Sequence, residues 1–495
     1  MKVGSNDGGL DRDGAESCSP GGEAVEPELD DADLEDSTLA ERYMPEPRGV
    51  AIAVMALLAF GVVVGAATGP IAQSAGTSPI IVEMESSPPP SGAPAPEGEA
   101  PVAIAAAPEA TPEALSSAAP TEPVGEKAPP PPAVPEEVPG EEALPPVQHV
   151  FMIVLGDHGF EEGFGESSPA PYLSKTLRAK GELLSNYYAV TQGHLANQVA
   201  LISGQGPNPA TAANCPEYKD VAPGTLDTEG LVSGEGCVYP AEIQTLPGQL
   251  AEAGLSWKAY VEDIGNGQAG QPASCRHPAL GAADDAHAPR PGDAYLTWRN
   301  PFVYFHSLTD GPECAERDVG LDQLEADLKV ETEIPSLSFV VPNACHDGSE
   351  EPCGASQPAG LAAADPFLER VVPQIEASAA YKEGGLIAIT FAQARQDVPA
   401  PDTSACCATP EYPNLPASAP PPPSTGPVKE TGGGGRVGML LLSPFVEPGS
   451  VNETGYYNHF STLLSIEELF GLAPIGYAAN PALSPFDGSV YNLAP

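Results

Sequence analysis

The chain has 495 residues with 68 acidic against 20 basic side chains, a formal net charge of -48, and 60 prolines and 52 glycines. Proline and glycine at that level, without a Gly-X-Y period, exclude a single ordinary globular domain and point to low-complexity segments attached to a folded one. Sparse Lys and Arg also exclude a nucleic-acid surface, because neutralising a phosphate backbone takes clustered cations. Residues 1–48 are acidic with almost no large apolar side chains, the pattern of a disordered cytoplasmic tail. Residues 49–70 contain the uncharged run from Gly49 to Gly69, long enough for a membrane-spanning helix. Arg42 and Arg48 precede it and the next basic residue is Lys127, so the N-terminus is expected on the cytoplasmic side of a single-pass cell-membrane protein. The alternative is a signal peptide read from Met44 and cleaved to give a secreted chain; either way the remainder lies outside the cytoplasm.

Residues 71–146 are Pro/Ala/Glu-rich, a composition that favours polyproline II and a self-repelling stalk of about 200 Å when fully stretched. From 147 to 495, apolar runs at 149–156, 256–263, 336–343, 386–392 and 437–443 read as strands buried on both faces, which implies a mainly parallel sheet. Segments with apolar residues every three or four positions lie between them, at 171–183, 196–204, 245–254, 365–378 and 461–472. The alternation predicts an α/β fold, a doubly wound sheet flanked by helices. Ligands in such folds bind beyond the carboxyl ends of strands. The residues there are Asp157, His158, Glu262, Asp263, Asn343 to Asp347, and Gln393. Residues 396–435 break the pattern as a Pro/Gly-rich surface insertion, and GGGGR within it lacks the Lys-Ser/Thr of a phosphate loop, so it reads as a flexible return to the last strand.

Cys18 stands alone on the predicted cytoplasmic side. Cys215, Cys237, Cys275, Cys314, Cys345, Cys353, Cys406 and Cys407 form an even set outside, where disulfides are expected. Sequence proximity suggests Cys215–Cys237, Cys275–Cys314 and Cys345–Cys353, and leaves the adjacent Cys406 and Cys407 undecided.

The stretches HVFMIVLGDHGF, TQGHLANQVALISG, SWKAYVED, LSFVVPNACHDGSE, LIAITF and GYYNHFSTLLSIEELFGL, in this order, resemble the bacterial phosphoesterase family of the alkaline phosphatase superfamily, of phospholipase C and acid phosphatase type. The resemblance implies metal-dependent phosphoester chemistry. It places the first metal-binding positions at Gly156 and Asp157 and the nucleophile at His194, with Asn197 beside it. The late-strand carboxylates fall at Ala392 and Gln393, a retained Asp at Asp347 after His346, and a Tyr-Asn-His at Tyr457, Asn458 and His459.

Phosphoryl transfer needs an in-line nucleophile and a cation for the non-bridging oxygens. Gly156, Ala392 and Gln393 supply no charge where the resemblance implies carboxylates. Asp157, Asp347, His346 and His459 remain as a candidate site for one divalent ion, Zn, Mn or Mg. His194 is open to three roles: helix-start packing, phosphate-accepting nucleophile, or metal ligand. The expectation is a membrane-anchored extracytoplasmic member of this family, a weak hydrolase or ligand-binding pseudoenzyme. Its partner would be a phosphorylated small molecule, a lipid head group or a cell-wall component, with no nucleic acid. The alternatives are an active metal-dependent mono- or diester hydrolase with a rearranged site, and a cell-surface structural or partner-binding module.

Overall fold

Residues 144–350, 358–416 and 426–492 are described by the computed structural model. The predicted tail, membrane helix and nearly all of the stalk lie outside these residues, as does Cys353. Among the described residues no helix is long and apolar enough to cross a membrane.

Eight strands form one sheet: β1 (His149–Asp157), β2 (Glu182–Leu184), β3 (Trp257–Val261), β4 (Asp318–Gly320), β5 (Leu337–Val341), β6 (Gly385–Gln393), β7 (Met439–Leu442) and β8 (Val451–Asn452). Their spatial order is β8-β2-β7-β6-β1-β5-β3-β4. β6, β1, β5, β3 and β4 run parallel. β5 and β6 are buried at every position and β1 at all but its ends, so both faces of the centre are covered. All five long apolar runs of the sequence are therefore strands.

The last of them departs from the parallel expectation. β7 is antiparallel to both β6 and β2. Among the described residues no helix separates β6 from β7, and a chain that returns without a crossover element pairs antiparallel. β2, β4 and β8 are too short to give a periodic signal. Residues 171–183 are helical only in part and not as one α-helix: a π-helix spans Tyr172–Leu177, a 3-10 turn spans Arg178–Lys180, and Glu182 onward joins the sheet.

The helices that matter for the site are α1 (His194–Ser203), α2 (Leu361–Ala377) and α3 (His459–Leu469). Every residue of α1 is buried, and its polar side chains are bonded within the protein: Asn197 to the loop before the helix, Gln198 to His194, and Ser203 to the Val199 carbonyl. Gly204 in the left-handed region ends it. α3 starts at Asn458, whose side chain accepts from the Ser461 N–H.

The insertion is more than a surface excursion. Ala405 and Cys406 are buried and pair with Val428–Lys429, and the Tyr412 hydroxyl donates to the Val190 carbonyl (2.9 Å). The glycine run is bonded into the domain as well. Gly434 donates to the Ala189 carbonyl (3.1 Å) and accepts from the Ala394 N–H (2.7 Å). A Cβ on Gly434 would collide with the Thr191 carbonyl, so glycine permits this approach of two backbones.

Disulfides join Cys215 to Cys237, Cys275 to Cys314, and Cys406 to its neighbour Cys407. Cys345 is disulfide-bonded too.

Candidate functional site

The carboxyl ends of β1 and β6 are adjacent, with Asp157 opposite Gln393, and the start of α1 faces them. His194, the first residue of α1, is 1% exposed. Its Nδ1–H donates to Asp157 Oδ1 (3.0 Å) and its Nε2 accepts from Gln198 Nε2 one turn later (2.8 Å). Gln393 Nε2 donates to the other carboxylate oxygen of Asp157 (2.7 Å), and Gln393 Oε1 accepts from the Gly193 N–H (2.8 Å). Gln198, His194, Asp157 and Gln393 thus form one continuous chain of hydrogen bonds, closed back onto the loop that starts α1.

Burial opposes the charge on Asp157, but the His194 N–H, the Gln393 amide and the nearby Arg299 together hold its carboxyl below the usual range. Burial also drives His194 below its ordinary value, further helped by Arg299 and outweighing the attraction of Asp157. A neutral imidazole fits the bonding, since Nδ1 donates while Nε2 accepts.

Asn197 serves the loop that leads into α1. Its Oδ1 accepts from the Val190 and Thr191 N–H groups (3.0 and 3.3 Å), and its Nδ2 donates to the carbonyls of Thr191 and Gly193 (2.7 and 2.9 Å). With all of this capacity committed to backbone, Asn197 positions Gly193 and His194.

Asp347 lies beneath β1 and is 1% exposed. Its carboxylate accepts from the Ser349 N–H (2.8 Å) and hydroxyl (3.2 Å) and forms an ion pair with Arg299. Arg299 also donates to the Ser349 hydroxyl (2.6 Å) and lies over the Trp298 ring (4.6 Å), which meets the His194 ring edge-on (5.0 Å). Gly156 donates its N–H to the Asp347 carbonyl (2.7 Å), and a Cβ there would lie 3.1 Å from Asp347 Oδ2. Gly156→Glu is therefore expected to be destabilising by about 1–3 kcal/mol from overpacking and to restore no metal affinity, as denaturation and metal titration would show.

The remaining sequence candidates are held apart. His459, fully buried, donates from Nε2 to the Ala392 carbonyl (2.9 Å) and faces the Tyr187 hydroxyl through Nδ1 (2.8 Å). Burial lowers it to about 4, so it is neutral. His346 is 40% exposed and faces Glu262 (2.9 Å). His158 reaches the Gly348 carbonyl (2.5 Å) and Glu162 (3.1 Å).

The donors of Asp157, Asp347, His346 and His459 do not fit a shared metal ion. Among the described residues the group of close ligand atoms is Cys275, Cys314 and Asp318, whose two sulfurs are bonded to each other. The cation beside Asp347 is Arg299, which reading the sequence did not single out. Its signal was faint: an arginine following a tryptophan in an irregular segment of a chain poor in basic residues.

A mixed α/β domain with a large, mostly parallel sheet and a polar cluster at its strand ends matches the Phosphoesterase family over residues 148–473, and the chain belongs to that family. A curated relative, the phosphatidylinositol-3-phosphatase of Mycobacterium tuberculosis (strain ATCC 25618 / H37Rv), is 22% identical over 363 residues, covering 70% of this chain and 85% of its own. Among solved structures, a protein in the alkaline phosphatase superfamily from Vibrio parahaemolyticus shares 12% identity over 68% of this chain and 70% of its own, with a TM-score of 0.38. The lipoteichoic acid synthase LtaP from Listeria monocytogenes shares 10% over 70% and 76%, with a TM-score of 0.38.

Proposed function

We propose that this chain is a membrane-anchored, extracytoplasmic member of the Phosphoesterase family that binds a phosphorylated ligand and hydrolyses it weakly or not at all. One observation carries the reading: the polar groups at the strand ends are bonded to each other. Asp157 is held by His194 and Gln393, Asp347 by Arg299 and Ser349, and His459 by the Ala392 carbonyl and Tyr187. Metal binding here would have to break an ion pair whose side chains are 5% and 1% exposed. Nucleophilic attack by His194 would require a free ring nitrogen, and both are engaged.

For ligand binding, Arg395 and Arg436 stand near the end of β6 at 26% and 33% exposure. Each arginine is paired with surface carboxylates, which an incoming phosphate would displace at small cost. Similarity to the mycobacterial phosphatidylinositol-3-phosphatase supports a lipid head group carrying a phosphate as the ligand class. The anchor rests on the apolar run 49–69 and the basic residues before it.

Hydrolysis of p-nitrophenyl phosphate and bis-p-nitrophenyl phosphate by the full-length oxidised protein tests the reading. Turnover is expected to match that of His194→Ala and to stay unchanged on adding Zn, Mn or Mg. Metal-dependent turnover lost in His194→Ala would establish the rearranged metallohydrolase instead.

A further inference from the structure

We propose that the Cys406–Cys407 disulfide is a thiol–disulfide exchange site, open to a dithiol, whose state is transmitted to the start of α3 and the end of β6. This does not depend on the ligand-binding reading. The bond joins neighbours in the chain, whereas the other two described bridges span sequence separations of 22 and 39 residues. A disulfide between adjacent residues closes almost no loop, so it restricts the unfolded chain least and gains least from that source of protection against reduction.

Access and coupling come from separate features. Cys407 lines a cavity of about 380 Å³ together with Pro427, Tyr456 and Asp487, so the bond lies beside a space that a small dithiol can enter although both residues are largely buried. Cys407 and Ala408 both have positive φ (67° and 57°), a conformation that residues with a Cβ disfavour. The Asn458 amide donates to the carbonyls of both Cys406 (2.9 Å) and Cys407 (3.3 Å), while its Oδ1 accepts from the Ser461 N–H (3.0 Å). The next residue, His459, bonds the Ala392 carbonyl beside Gln393. Altering the backbone at 406–407 therefore alters what holds Asn458, and with it the first turn of α3.

The reaction balances without another component. One thiolate of the dithiol attacks the Cys407 sulfur, forming a mixed disulfide and releasing the Cys406 thiolate, which takes a proton. The second thiol attacks the mixed disulfide, freeing Cys407 as a thiol and leaving the reductant as a cyclic disulfide. Two electrons pass from the dithiol to the protein.

Full-length oxidised protein would be exposed to graded dithiothreitol, quenched with iodoacetamide and mapped by peptide mass spectrometry, with amide hydrogen exchange followed over 457–463. Cys406 and Cys407 are expected to be alkylated at about tenfold lower dithiothreitol than Cys215, Cys237, Cys275 and Cys314. Faster exchange at Ser461 is expected over the same range. The variant C406S/C407S is expected to show that faster exchange without reductant. Simultaneous alkylation of all six cysteines would overturn the exchange site. Early alkylation with unchanged exchange at Ser461, or a double variant that exchanges like the oxidised protein, would overturn the coupling.

Discussion

Glu467→Gln is expected to stabilise the domain at pH 8 relative to wild type, with the advantage vanishing toward pH 4. Glu467 on α3 is fully buried, its Oε1 accepts from the Ile475 N–H (3.1 Å), and the Gln249 side chain lies beside the carboxyl. Burial pushes its carboxyl up to about 8, against an ordinary value of 4.5. The folded state therefore keeps a proton that the unfolded state releases above pH 4.5. The stabilisation is fully present below pH 4.5 and is lost as pH rises, levelling off above about 8. Glutamine holds the same shape and cannot ionise. The gap between the two proteins should reach a few kcal/mol, several degrees in midpoint. Asp318 is a second group of this kind, pushed up to about 7 by burial against the Asn300 amide that donates to it (2.8 Å). Glu467→Gln alone should therefore retain part of the pH slope. Calorimetric melting between pH 4 and pH 9 measures it; parallel curves for wild type and variant would show that Glu467 is ionised in the folded protein.

Arg299→Ala is expected to cost about 3–5 kcal/mol of folding stability, because it leaves the Asp347 carboxylate buried without its counter-ion. The guanidinium also lies over Trp298, so its loss removes packing beside His194. Asp157 loses a nearby positive charge in the same change, and its carboxyl should titrate higher. The double variant R299A/D347N should recover a substantial part of the loss, since asparagine keeps the shape without the charge and can still accept from Ser349. Urea denaturation of the two single variants and the double variant gives the coupling directly. A cost below about 1 kcal/mol for Arg299→Ala would mean that the pair is solvated as a surface pair is.

Much of the fold was legible because burial on both faces leaves a local mark. The runs that became β1, β3, β5, β6 and β7 are short and apolar, as the two-sided cover of a parallel sheet demands. β2, β4 and β8, at two or three residues each, take their place only from the neighbours they pair with. The same contrast holds at the site. Asp157, His194 and Gln393 stand at strand and helix ends and could be named from the alternation of elements and the family resemblance. Arg299 could not, since nothing in its own segment signals that the Asp347 carboxylate waits for it under β1.

The sequence by itself determined the division of the chain into an acidic N-terminal part, an apolar run, a Pro-rich stretch and an α/β domain, and it determined family membership. Each follows from composition, period or motif within a short window of chain. Only the tertiary structure decided that β7 runs backward, that Cys406 bonds Cys407, and that the polar groups at the strand ends satisfy one another. Asp157 and Gln393 are separated by 236 residues, and their pairing exists only once β1 and β6 lie side by side. Whether a buried carboxylate meets a metal, a guanidinium or an amide is set by which distant groups the packed chain brings within about 3 Å of it.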